Sequence, residues 1–402
     1  MNFITHDIND VLRAARDASP PLLFCARIIR LEWSIAPVTR RMRFAVALSP
    51  GLPAYGMLWE QGVKQRMEDS EMNEAFGANL EDNLRLLLVQ AEQVLMSALE
   101  KFGIKEEQAE FIQISDHITY RVSARSGGKF LLRIHPVSAD VPAIRSEMMW
   151  LNWLSSQGLP VPEGAADQEG NTVAICEADR SQGWPVTLLR WIEGEQAEDG
   201  LDDRQVYRMG VLMARLHQAA QSFVPPEGFV RPEWGAASLT EDMQRLERRH
   251  RAFLSSDEWA LYVQAADLIK GRIAAWPPGP SRYGMIHADL HEGNVVFKDG
   301  EPCPIDFGRC GFGYYAYDLA QALIGLYPAQ RSMLLDGYES MRLLPKESVS
   351  MLETFFLQAV LENQAFHAGN PQEIPSLKEQ KGYILSAIRS YLAEEPFLFP
   401  AK

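Results

Sequence analysis

Through residues 18–56 the apolar positions keep neither a helical nor a strand period for long, and Pro20, Pro21, Pro37, Pro50 and Pro53 break the runs. From about residue 67 the pattern becomes regular. Residues 80–102 place apolar side chains at helical intervals and stop at Gly103, a residue suited to a C-cap. Alternating runs follow at 110–114, 118–124 and 130–135, the last two separated by Ser126-Gly127-Gly128, the composition of a hairpin turn. A helix over 143–156 closes at Gly158, and two further strands are predicted at 172–177 and 186–192. Together these predict an antiparallel sheet with one inserted helix.

After Gly194 the pattern turns mostly helical, with predicted helices at 202–221, 239–253, 256–275, 317–326, 329–338, 346–367 and 374–392. Between the third and fourth of these lies an apolar, loop-rich stretch, 283–315. The expected fold class is therefore α+β in two lobes: an N-lobe over 67–193 and a larger helical C-lobe over 194–402, joined near Trp191 to Glu195.

Composition sharpens this picture. The chain has 402 residues, 39 Lys and Arg against 53 Asp and Glu, a formal charge of -14, and 47% hydrophobic residues. That apolar content excludes a disordered chain. The acidic balance excludes nucleic acid and anionic membrane as general partners and suits a cationic small-molecule acceptor. Residues 1–66 differ, with nine basic against five acidic residues, +4, which leaves -18 for the remainder. Segment 1–66 is thus expected to be an extension outside the fold, with the natural start at Met67 or Met72; the intact mass of protein from its own locus checks this.

Cys25, Cys176, Cys303 and Cys310 are widely spaced, without a CxxC pair, and read as reduced thiols of a cytoplasmic protein. No run of 18 apolar residues appears, and Asp7 and Asp10 stand where a signal peptide would carry basic residues.

The densest chemistry lies in YGMIHADLHEGNVVF, 283–297, followed by PIDFG, 304–308. Apolar residues flank a polar loop, which predicts strand, loop, strand, with a second loop opening at Asp306. A hairpin of this kind brings Asp289, Asn294 and Asp306 to one end. Oxygen ligands suit hard cations, and Mg²⁺ takes one or two carboxylates with phosphate oxygens and water; Asn294 and Asp306 fit that part. A carboxylate left over, Asp289, can orient a hydroxyl and accept its proton.

HADLHEGN with IDFG resembles the catalytic core of the aminoglycoside phosphotransferase and choline kinase superfamily, which has the protein-kinase-like fold. The resemblance implies that Asp289 is the catalytic base and that Asn294 and Asp306 hold Mg²⁺. It extends over about residues 100–395. It also implies a strand cation for the ATP phosphates, which falls on Arg133 where the family more often has Lys, and a helix carboxylate to position it, Glu147. The phosphate-covering loop falls on ISDHITY, 114–120, which contains no glycine, so Ser115 is expected to reach phosphate through its hydroxyl or backbone. The connector 188–195 resembles the interlobe hinge, where main-chain atoms around Arg190 to Ile192 would take adenine. His287 is expected to brace the loop, and Asp318 to cap a helix or brace the same loop.

The implied function is an ATP-dependent, Mg²⁺-assisted phosphotransferase acting on the hydroxyl of a small molecule, such as an aminoglycoside, a choline-like amine, an amino alcohol or a homoserine-like compound. The acidic residues Glu193, Glu195, Glu198, Asp199, Asp202 and Asp203 suit a cationic acceptor, or simply form a solvated helix start. An inactive nucleotide-binding regulator and a protein Ser/Thr kinase share the same motifs. The cleft beside Asp289, open or closed by helices from 239–275, discriminates the protein kinase.

Overall fold

The computed structural model describes residues 80–178, 183–197 and 200–399. Segment 1–66, the starts at Met67 and Met72, Cys25, Glu198 and Asp199 lie outside the described residues.

Helix α1 (Leu80–Lys101) ends two residues before the left-handed turn at Gly103, φ 66°. Six strands follow in one sheet: β1 (Glu106–Ile114), β2 (Ile118–Ala124), β3 (Lys129–Ile134), β4 (Gly164–Ala165), β5 (Ala174–Glu177) and β6 (Gly183–Arg190). Their order is β1-β2-β3-β6-β4, with β5 also on β6, and every pair is antiparallel. Helix α2 (Val141–Ser156) is inserted between β3 and β4.

Strand alternation gives the sheet two different faces. Leu132 and Ile134 of β3 and Val186 and Leu188 of β6 pack on Val94, Leu95, Ala98 and Leu99 of α1. Arg133 and Thr187, which pair across β3 and β6, therefore point to the other face, where α2 lies. On α2 the buried residues Ile144, Glu147, Met148, Leu151 and Leu154 follow the 3.6-residue period, so Glu147 shares the inward stripe.

The second core belongs to α3 (Asp203–Ser222), α4 (Ala236–Arg249), α5 (Ser256–Ala274), α6 (Tyr315–Leu323), α7 (Pro328–Glu339), α8 (Lys346–His367) and α9 (Ile374–Leu392). Met209, Leu319, Leu323, Phe355, Phe356 and Ile388 are at its centre. Helices α3 and α7 touch through reciprocal glycines: a Cβ on Gly210 would fall 2.0 Å from the Leu334 carbonyl, and one on Gly337 2.0 Å from the Tyr207 carbonyl. The acidic run before α3 has a local explanation. Asp202 is the N-cap and closes a capping box with Gln205, and Glu193 pairs with Lys129 at 2.8 Å.

One expectation fails. Strands β8 (Tyr283–Ile286) and β9 (Val295–Lys298) do not form a hairpin with each other. β9 pairs with β10 (Glu301–Pro304), and β8 pairs with β11 (Gly311–Tyr314). The inner turn, Asp299 and Gly300, both with positive φ, is a tight hairpin connection that competes successfully with the longer loop. A two-residue strand, β7 (Glu233–Trp234), adds to β11 in parallel, too short for any sequence period to register.

Candidate active site

Asp289 stands on the loop leaving β8, and the turn that precedes it is strained. Ala288 has φ 62°, a left-handed conformation that a residue with a Cβ adopts only when its surroundings hold it there. The holder is Asp318 on α6, fully buried. Its Oδ1 accepts from the Ala288 N–H at 2.7 Å, and its Oδ2 from the His287 N–H at 3.2 Å and from His217 Nε2 at 2.9 Å. Burial opposes ionisation of Asp318, but the hydrogen bond and charge of His217 outweigh it and hold the carboxyl below its ordinary range. Asp318 thus braces the loop rather than capping a helix.

His217, on the buried face of α3, completes this brace through Tyr338, whose hydroxyl lies 3.0 Å from its Nδ1. Sequence reasoning missed it, since a lone histidine among apolar helix positions carries no signal of its partner. His287 also braces: its Nε2 donates to the Ile305 carbonyl at 3.0 Å, and its ring packs at a tilt of 51° on Phe307. Burial lowers the pKa of His287 despite nearby Asp318 and Asp306, so the imidazole is neutral.

Asn294 Nδ2 donates to the Asp289 carbonyl at 2.9 Å and to Asp289 Oδ2 at 3.1 Å. Both its donors are thereby turned toward Asp289, which leaves Oδ1 as an acceptor. Asp306 opens the second loop with φ 61° and ψ 69°, and its side chain is exposed. Among the described residues no group donates a hydrogen bond to its carboxylate. An oxygen-only pair of this kind, one amide and one free carboxylate, fits a hard divalent cation completed by phosphate oxygens and water. Burial pushes the pKa of Asp289 up to about 7, against the pull of Arg309 and with the push of Asp306.

Across the cleft, Arg133 Nη2 donates to Glu147 Oε1 at 2.7 Å and its Nε to Thr187 Oγ1 at 3.3 Å, with both ion-pair side chains almost fully buried. The turn between β1 and β2 is closed by the Ser115 N–H on the His117 carbonyl at 3.1 Å. Ser115 itself is exposed and touches none of the other predicted site residues, whereas His117 folds inward. Burial and the Arg133 charge bring the His117 pKa down to about 4, while Asp306 opposes them, and the His117 ring lies 5.5 Å from that of His135.

Arg190 departs from expectation. Its N–H donates to the Glu163 carbonyl at 2.8 Å and its side chain pairs with the Glu163 carboxylate at 3.0 Å, so neither faces the cleft. The Trp191 N–H is likewise taken, by the Lys129 carbonyl at 3.0 Å, and Ile192 is half-buried.

A further group of residues beside Asp289 had no sequence signal. Arg309 lies over the Trp234 ring, its carbon 4.4 Å from the centroid, and forms an ion pair with Glu362 of α8. The Tyr317 hydroxyl donates to the same Glu362, and Arg245 pairs with the buried Asp242 of α4. Helix α4, which carries Asp242 and Arg245, packs against α8 and α5. Two carboxylates and two arginines here balance one another.

Comparison with known proteins places the chain among kinases of small molecules. Amicoumacin kinase of Bacillus subtilis (strain 168) is 23% identical over 242 residues, 59% of this chain and 69% of that protein. A homoserine kinase of Gluconobacter oxydans is 28% identical over 241 residues, 56% of this chain and 71% of that protein. The solved structure of a microcompartment-associated aminopropanol kinase superposes with a TM-score of 0.66 at 24% identity, covering 77% of this chain and 98% of that one. Amicoumacin kinase hAmiN in complex with AMP-PNP, Ca²⁺ and Ami gives 0.63 at 19% identity, covering 77% and 95%. At these identities the superpositions show the fold, that of the protein-kinase-like phosphotransferases. The family model matches residues 112–348, more than half the chain and both loops that carry Asp289, Asn294 and Asp306, and the chain belongs to the phosphotransferase enzyme family.

Proposed function

We propose that this chain transfers the γ-phosphate of Mg²⁺-bound ATP to the hydroxyl of a small amino alcohol or hydroxy amino acid, in the cytoplasm. The observation that carries this is the pair of Asn294 bonds to Asp289, which holds the two side chains together, while the Ile305 N–H donates to the Asn294 carbonyl at 2.9 Å and ties on the loop where the exposed Asp306 follows. Asp289 orients the acceptor hydroxyl and takes its proton as the oxygen attacks γ-phosphorus and the bond to the ADP oxygen breaks. Asn294 and Asp306 would hold the metal, which when bound neutralises charge on the phosphates. Arg133, held by Glu147, supports the phosphates from the sheet, with His117 in place of a glycine-rich loop. Main-chain atoms of Ile192 would take adenine. A division near residue 193 into N-lobe and C-lobe suits this arrangement.

The acceptor class rests on the charge balance of Asp242, Glu362, Arg245 and Arg309. With each buried carboxylate already paired, the pocket offers no surplus of negative charge to a polycation, which moves the reading from the cationic acceptor toward one of mixed or low charge. Relatives named for homoserine and aminopropanol, each an amine with a primary or secondary hydroxyl, support the same class.

An ATP-consumption screen over amino alcohols, hydroxy amino acids, sugars and aminoglycosides tests this. The expected result is acceptor-dependent ADP release with the first two groups. Nucleotide binding without ADP release from any acceptor would instead favour a regulatory role. Replacing Asp306 with Ala should weaken Mg²⁺-ATP binding on the order of 10²-fold, since even outer-shell partners of a metal are worth about 10–100-fold. Titration calorimetry with AMP-PNP and Mg²⁺ checks this, and an unchanged affinity would remove Asp306 from the metal site.

A further inference from the structure

The loop that begins at Asp306 is gripped from one side by the segment 230–234. Arg231, half-buried, donates through Nη2 to the Gly308 carbonyl at 2.5 Å, through Nε to the Cys310 carbonyl at 2.5 Å, and through Nη1 to the Ala143 carbonyl of α2 at 3.2 Å. Trp234 Nε1 donates to the carbonyl between them, that of Arg309, at 3.0 Å. Three consecutive carbonyls, 308 to 310, are therefore held by two side chains of one short segment. The Phe312 N–H closes the same contact on the Pro232 carbonyl at 2.8 Å. On the α2 side the Val230 N–H donates to Ser146 Oγ at 2.8 Å, one residue before Glu147.

We propose that Arg231 is a positioning residue that locks the Asp306 loop to the helix carrying Glu147, so that the metal ligand and the Arg133–Glu147 pair keep one relative placement. The proposal rests on the reading of Asp306 as a metal ligand. Asp306 holds a left-handed backbone, a conformation that costs about 1–3 kcal/mol for a residue with a Cβ and persists only where neighbours over-determine it. The carbonyl clamp supplies that determination two residues downstream. The Nη1 bond to Ala143 extends it to α2, so one guanidinium couples the two halves of the phosphate site. Trp234 serves the clamp twice, through its Nε1 bond to the Arg309 carbonyl and through its ring under the Arg309 guanidinium.

The test compares Arg231→Met and Arg231→Lys with Arg331→Met. Arg331 is also an arginine with three partners, Leu323, Leu398 and Tyr383, but it lies away from the cleft, so its loss reports stapling alone. Mn²⁺ affinity is measured by electron paramagnetic resonance in the presence of AMP-PNP, alongside the urea midpoint. The expected result is Mn²⁺ affinity lowered about 10–100-fold in Arg231→Met, partly restored in Arg231→Lys, and unchanged in Arg331→Met, although both Met variants lose stability. If Arg231→Met does not fold, Arg231→Lys alone should still show the weakened Mn²⁺ affinity. Folded Arg231 variants that bind Mn²⁺ within about twofold of the parent overturn the proposal. A parent protein that binds no Mn²⁺ with AMP-PNP overturns the metal-site reading itself, and the proposal with it.

Discussion

Asp289→Asn should lower turnover by about 10²–10⁴-fold, the range of a lost general base, while Mg²⁺-AMP-PNP still binds. The same variant should be more stable than the parent at pH 8 in metal-free buffer. The sign follows from burial, which raises the folded-state pKa of Asp289 from 3.8 to about 7. Between those values the folded protein keeps a proton that the unfolded chain has released. Stability therefore falls as pH rises through that window, and the full penalty stands above it. A shift of about three units corresponds to a ceiling of ~4 kcal/mol, reduced because Asp289 keeps an edge on the open cleft. The Asn side chain cannot ionise and still accepts from Asn294. Urea unfolding at pH 4.5 and pH 8 should show the two proteins converging at the lower value. A variant that keeps full acceptor-dependent ADP release would remove Asp289 from the role of base.

Asp318→Ala should be the most destabilising single change in the site, by about 4 kcal/mol or more. Three buried donors, His217 Nε2 and the amides of His287 and Ala288, lose their only acceptor together. Each unsatisfied buried group costs about 1–3 kcal/mol, so three together reach about 4 kcal/mol or more. The left-handed turn at Ala288 then relaxes, so activity should fall even in the fraction that remains folded. A denaturant midpoint corresponding to a change under about 1 kcal/mol would show that water or another acceptor replaces the carboxylate. Asp318→Asn separates charge from geometry, since its amide oxygen can keep either the Ala288 bond or the two that Oδ2 accepts, but not all three.

The sequence made the elements legible where the period is long and uninterrupted. Helices α8 and α9 occupy the predicted spans 346–367 and 374–392, and β2 the predicted 118–124. It failed on partnership. Nothing in the alternation of 283–286 tells that the strand pairs with 311–314 rather than with 295–298, because both are short apolar runs of the same period. Asp289, Asn294 and Asp306 could be found because the chemistry compresses them into two adjacent loops with fixed spacing. Arg133 and Glu147 could be found from the order of strand and helix. His217, Arg231, Asp242 and Glu362 could not, since each reaches the site from an element dozens of residues away and each looks locally like an ordinary helix or loop residue. Arg190 was legible as a hinge position, but the direction of its N–H was set by Glu163, on the neighbouring segment.

The pairing of β8 with β11 around the β9–β10 ribbon also bears on how the site comes into being. The inner ribbon closes over a two-residue turn and needs little loop entropy, whereas the outer pair must join strands separated by the whole stretch 287–310. Once the inner ribbon exists, only 287–294 and 305–310 remain as free chain, and the entropic barrier to zipping the outer pair falls accordingly. Asp289, Asn294 and Asp306 all lie in those two remaining stretches. The residues read here as the catalytic and metal-holding set are thus the last part of this region to lose conformational freedom, fixed by the closing of strands on either side of them.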